Sequence, residues 1–191
     1  MTEFEVVAGQ QGLIYEDLLP VRWQAIADES SMPDLVNLEE KNDEVMRFID
    51  VLEEHHPEHA AEHASIQQEL LRVELKFDLL LNLVSQLLSV YFPLPTAIQA
   101  RLTPKGIQWL SPEAIDPGSH GLVEFYLSSR CPRPLVLPAK VEQLEQEGGQ
   151  YRVSVHFSHM SESLRERLEK MIFRHHRRGV ALARRRATPD S

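Results

Sequence analysis

The chain has 191 residues, 42% hydrophobic and 26% charged, which suits one medium domain or a small domain with an extended element and excludes wholesale disorder. Its single cysteine, Cys131, excludes an internal disulfide and a cysteine-based zinc site and points to a reducing cytoplasm. The net charge of −9 divides into an acidic front, with 16 acidic and 3 basic residues in 1–65, and a basic end, with 4 and 9 in 161–191. That split argues against a general nucleic-acid binder.

The first segment, residues 1–33, opens on MTEFEVVAGQ, which has neither a basic n-region nor an apolar h-region, so no secretory signal is expected. Leu18–Ile26 reads as a strand. Residues 34–92 then carry a 3.5-residue repeat. It runs through Leu35, Leu38, Asn42, Val45, Ile49, Leu52, His56, His59, His63, Ile66, Leu70, Val73, Phe77, Leu80, Val84, Leu87 and Tyr91, a heptad sustained long enough to predict a coiled coil. Pro57 interrupts it, and a proline inside a helix costs about 3 kcal/mol. The pattern therefore predicts two helices, about 34–55 and 58–92, with one kinked helix as the alternative.

Beyond Glu69 the second helix also carries Leu71, Leu75, Leu79, Leu81, Leu83, Leu88 and Val90 off the stripe. A helix apolar on most sides needs neighbours all round, which predicts a homo-oligomer, a dimer or tetramer, with Ile66, Leu70, Val73, Phe77, Leu80, Val84, Leu87 and Tyr91 as its seam. Asn42, at an a position, is expected to set the register of that assembly. The apolar run Leu79–Phe92 is too short for a bilayer and contains Asn82, Ser85 and Gln86, so no membrane insertion is expected.

From Pro93 the period changes from helical to alternating. Ile98–Leu102, Gly106–Ser111, Gly121–Leu127, Leu135–Leu144 and Tyr151–Phe157 read as short strands punctuated by proline and glycine, which predicts a small barrel over residues 93–160. The last helix, in 161–186, is expected to start at Ser161 or Ser163, with Ser163 and Glu166 spaced as a capping box. It would bury Leu164, Leu168, Met171 and Ile172, end near Gly179, and leave Arg184 to Arg186 and the tail 187–191 loose.

Three segments carry a family resemblance: A-R-L-T-P-K-G-I-Q-W-L-S (Ala100–Ser111), Y-R-V-S-V-H-F (Tyr151–Phe157) and R-E-R-L-E-K-M-I-F-R (Arg165–Arg174). Together they resemble the PilZ domain, a six-stranded barrel family of cyclic di-GMP receptors. With L-P-V-R-W-Q (Leu19–Gln24) and the long helices, the chain is similar to the atypical, tetrameric PilZ group. The resemblance implies an α+β fold: a six-stranded barrel, a long helical insertion and a C-terminal helix. Ligand-competent members carry R-x-x-x-R before the barrel and D/N-x-S-x-x-G on it, where guanidinia clamp phosphate and stack on guanine. Aligned on Gly106, the acidic position is Arg101 and the serine position Thr103, so only the glycine matches. No R-x-x-x-R precedes Arg101. Arg72 and Lys76 have that spacing, but on the heptad helix.

The remaining constellations are weaker. His59-Ala-Ala-Glu62-His63 matches an inverted zinc-peptidase pattern, since histidines four apart on a helix can share a metal, but no distal ligand is evident and no metal is expected. Phosphate loops, dinucleotide fingerprints and nucleophile motifs are absent from the sequence. The expectation is a non-catalytic, cytoplasmic, oligomeric adaptor that binds an unidentified protein and holds no cofactor. Its alternative is a cyclic di-GMP receptor with a rebuilt site using Arg101, Thr103, Gly106, Arg174, Arg177 and Arg178, and a nucleic-acid partner is disfavoured.

Overall fold

The computed structural model describes residues 13–26, 32–53, 64–91, 93–128 and 130–187. In chain order they form β1 (Tyr15–Ala25), α1 (Leu35–Glu53), α2 (Ala64–Tyr91), β2 (Ala97–Thr103), β3 (Gly106–Ser111), β4 (His120–Phe125), β5 (Leu135–Glu147), β6 (Gln150–Phe157) and α3 (Glu162–Ala187). The strands close into an antiparallel barrel in the order β1-β2-β3-β6-β5-β4, with β4 returning to β1. This is the expected α+β fold, with both helices of the insertion between the first and second strands.

Alternation places the walls. Along β6, Val153, Val155 and Phe157 are buried while His156 between them is exposed, and along β3 the buried set is Ile107, Trp109 and Ser111. The β5–β6 hairpin turns through Gly148 and Gly149 at φ of 55° and 86°, the left-handed pair that a two-residue turn requires. Gly106 is needed for a different reason. A Cβ there would stand 2.1 Å from the Val155 carbonyl oxygen, so the β3–β6 contact admits no side chain.

Asp34 caps α1, its carboxylate accepting from Val36 N at 3.1 Å. Val45, Met46 and Ile49 of α1 join Leu164, Leu168, Met171 and Ile172 of α3 in the same core as the barrel interior. Here an expectation is overturned. Asn42 is 2% exposed, and among the described residues its amide meets a strand, where the heptad predicts a second helix. Its amide donates to Val136 O at 2.7 Å and accepts from Val136 N at 2.9 Å, so it fastens α1 to β5. The heptad stripe of α1 thus faces its own barrel and α3, because those surfaces offer apolar side chains and unpaired strand backbone at the right spacing. Among the described helices, α2 is the one that leaves its stripe exposed.

Of the two boundaries of the last helix, the start is one of the two expected and the end is corrected. Ser161, not Ser163, caps α3: its hydroxyl accepts from Leu164 N at 3.4 Å and its carbonyl from Arg165 N at 3.0 Å. The helix does not end near Gly179 but runs to Ala187, so Arg184 to Arg186 are helical. The expected junction at Pro57, and His55, His56, His59 and His63 with it, lies outside the described residues.

Candidate functional site

Three surfaces stand out above the core. The first is α2. Leu80 is 56% and Leu87 61% exposed, and Leu70, Val73, Phe77, Val84 and Tyr91 of the same stripe lie open as well. Leu75, Leu79 and Leu83, four residues apart, form a second exposed apolar line roughly 120° round the helix at 100° per residue. Of the expected seam, only the Ile66 side chain lies outside the description. The helix has no extensive packing partner among the described elements; Ser85 Oγ reaches Arg130 O at 3.4 Å.

The second is a cleft of about 310 Å³ on the outer wall where β1, β2, β3 and β6 run side by side, lined by Glu16, Gln99, Arg101, Gln108, Trp109, Leu110, Glu147 and Arg152. Arg101 Nε stands 2.6 Å from Glu16 Oε1, its neighbour across the β1–β2 ladder. Arg152 is forked on one oxygen of Glu147, Nε at 2.9 Å. Gln108 Nε2 donates to Ser154 Oγ at 2.8 Å. A shallower hollow beside it brings Thr103 and Gly106 next to Arg101. Thr103 Oγ1 braces the turn there, accepting from Gly106 N at 3.1 Å and Lys105 N at 3.3 Å. Two of the three barrel positions in the nucleotide expectation therefore have a structural task of their own.

The third is an ionic clasp between α1 and α3. Arg167 Nη1 lies 3.1 Å from Asp50, Arg174 bridges Asp50 at 2.7 Å and Glu53 at 3.0 Å, and His175 Nε2 meets Glu53 Oε1 at 2.6 Å. The His175 ring rests 4.6 Å from that of Tyr15. Burial raises the Glu53 pKa, but the His175 and Arg174 contacts outweigh it and hold the carboxyl below its ordinary value. The acidic front and the basic end of the sequence thus meet each other. Arg174 is held by α1 and lines neither hollow on the barrel wall. Arg177 lies 5.8 Å above the Phe173 ring, and Arg178 is one residue on in the same helix.

Among the described residues no His, Cys, Asp and Glu group is placed to hold a metal, and no helix is long and apolar enough to cross a membrane. Cys131 is buried, and burial pushes its thiol pKa up, which disfavours the reactive thiolate. Glu16, Glu147 and Arg152 escaped sequence reasoning. Their cleft depends on strand register, and no local motif marks it.

A family model described as the atypical PilZ domain, cyclic di-GMP receptor, matches residues 46–185. The chain belongs to the atypical PilZ family. Its likeness to one solved structure spans nearly the whole fold. That structure is a pathogenic protein from Xanthomonas campestris, described as a new tetrameric PilZ domain self-assembled via an unusual helical bundle. It is 26% identical, with 89% of this chain and 91% of that one covered and a TM-score of 0.66. An inhibitor of motility from Bacillus subtilis matches at 12% identity over 41% of this chain and 40% of that one, with a TM-score of 0.36, too low to carry an argument. No curated protein matches the chain. The atypical PilZ match takes in the last part of α1 and all of α2 as well as the barrel from β2 onward, so the helices belong to the family pattern.

Proposed function

We propose that this atypical PilZ protein is a non-catalytic, cytoplasmic signalling adaptor that self-assembles through α2 and works by protein–protein contacts. The carrying observation is the open apolar surface of α2. Fully burying one leucine-sized side chain contributes about 1.5–3 kcal/mol, so the half-exposed seam Leu70, Val73, Phe77, Leu80, Val84, Leu87 and Tyr91 is worth on the order of 5–10 kcal/mol when covered. Association costs of 4–15 kcal/mol are of the same size. The second line at Leu75, Leu79 and Leu83 tips the balance, and two apolar lines on one helix call for two neighbours. The Xanthomonas campestris relative, tetrameric through a helical bundle, supports the same arrangement here. Assembly would place several barrels on one core, so that weak single contacts to a partner protein add by avidity.

Sedimentation of the purified chain tests this: a concentration series should converge on a tetramer, and a monomer at micromolar concentration would refute the reading.

A second reading is favoured by the outer-wall cleft, where Arg101 and Arg152 flank Gln108. It makes the chain a cyclic di-GMP receptor with a rebuilt site. Calorimetric titration with the dinucleotide decides: saturable micromolar binding supports the receptor, and no heat removes it.

A further inference from the structure

The outer-wall cleft contains two arginines, and both are taken. Arg101 is paired to Glu16, and Arg152 to Glu147. As it stands the cleft balances two guanidinia with two carboxylates, so an incoming anion meets no net attraction. The register puts both arginines on one side of the wall, flanking Gln108 and Leu110, with each guanidinium turned outward onto a carboxylate of the next strand. Arg101 pairs with Gln108 on β3, and Leu110, two residues further along β3, pairs with Arg152 on β6. Two strand spacings of about 4.8 Å and two residue rises of about 3.4 Å put their Cα atoms on the order of 12 Å apart on the same side of the wall. An extended arginine spans roughly half of that, so both guanidinia, once released from their carboxylates, reach a ligand lying over Gln108 and Leu110.

The carboxylates that occupy them stay open to water. The Glu16 side chain is 52% and the Glu147 side chain 45% exposed. The Arg101–Glu16 pair, exposed on both sides, is of the weak kind, and Arg152 holds Glu147 by a fork whose carboxylate still faces water. A phosphate group offers more acceptor oxygens and more charge than a carboxylate, in a geometry that a guanidinium fork matches.

We infer that this cleft is a binding site for a small dianion of the phosphate class, held shut in the resting chain by Glu16 and Glu147. The two glutamates act as built-in competitors: the ligand must displace them, and whatever neutralises or moves them opens the site. The inference deepens the second reading above and rests on the same cleft. It differs from the family pattern, which has an acid at the position of Arg101 and assigns nothing to Arg152, Glu147 or Gln108.

The test uses inorganic pyrophosphate as the probe, titrated calorimetrically at low ionic strength into the full chain. E16Q/E147Q should bind at least tenfold more tightly than the wild type, and adding R101Q and R152Q should abolish the gain. An unchanged affinity in E16Q/E147Q overturns the inference. So does a gain that survives loss of both arginines, since the anion would then sit elsewhere, as on the arginines of α3. E16Q and E147Q alone provide the same reading if the double variant does not fold: a threefold gain in either supports the site, and none in both overturns it. Cyclic di-GMP titrated in parallel keeps the two claims apart. Its failure with every variant ends the receptor reading and leaves pyrophosphate to decide this one.

Discussion

Asn42 shows how much one side chain can settle. Both ends of its amide are bound to Val136, so a hydrophobic helix stripe is tied to a strand by two hydrogen bonds. Asn42→Ala leaves a half-buried N–H and C=O of β5 without their partner and should cost about 2 kcal/mol in urea unfolding. The mass of the assembly should not change, which separates docking α1 on the barrel from setting the register of a coiled coil. Glu53 offers a second test. Its pKa is depressed, so the stability it contributes is present above the ordinary glutamate value of 4.5 and is lost as pH falls through its lower folded value. Glu53→Gln should lower stability at neutral pH by about 1–2 kcal/mol. It should also flatten the fall in melting temperature between pH 5 and pH 3; an equal acid slope in both proteins would mean that the clasp does not titrate there.

At the scale of elements, α2 is the part whose environment is incomplete. Leu80→Glu with Leu87→Glu puts two charges on the seam, and burying each unpaired charge costs several kcal/mol. Light scattering should report monomers, with circular dichroism of the barrel retained; an unchanged mass would show that the seam lies elsewhere.

The same elements show what the sequence could and could not reveal. The strands were legible because Tyr151, Val153, Val155 and Phe157 alternate with polar residues, and a half-buried strand needs nothing more. Gly179 misled. A lone helical glycine costs only about 1 kcal/mol, and Val180-Ala181-Leu182-Ala183 carries the helix on. Asn42 misled for a deeper reason: periodicity tells which face of α1 is covered but not by what, and Val136 lies 94 residues away. The charged cleft was invisible because Glu16, Arg101 and Arg152 become neighbours only through the register of β1, β2, β3 and β6.

For the whole molecule, the division of labour between barrel and α2 has a thermodynamic signature. The barrel, α1 and α3 share one core, while α2 stands outside it with its apolar stripe exposed and, in the proposed assembly, draws its cover from other copies. Stability drawn from association depends on concentration, whereas stability drawn from an internal core does not. Thermal scans over a hundredfold range of protein concentration should therefore resolve a transition that shifts upward with concentration and a barrel transition that stays in place. A single transition independent of concentration would contradict assembly through α2.

The position of the insertion also bears on how the chain acquires its shape in time. β1 leaves the ribosome first, yet it pairs with β2, which begins at Ala97, and with β4, which ends at Phe125. During synthesis it must wait for well over seventy residues, with both edges bare, before either neighbour exists. The sheet β2-β3-β6-β5-β4 can assemble without it, and inserting β1 then seals the circle as the final, longest-range event. A circular permutant opened within the insertion would deliver β1 after α3, with both of its neighbours already made, and should fold to the same barrel.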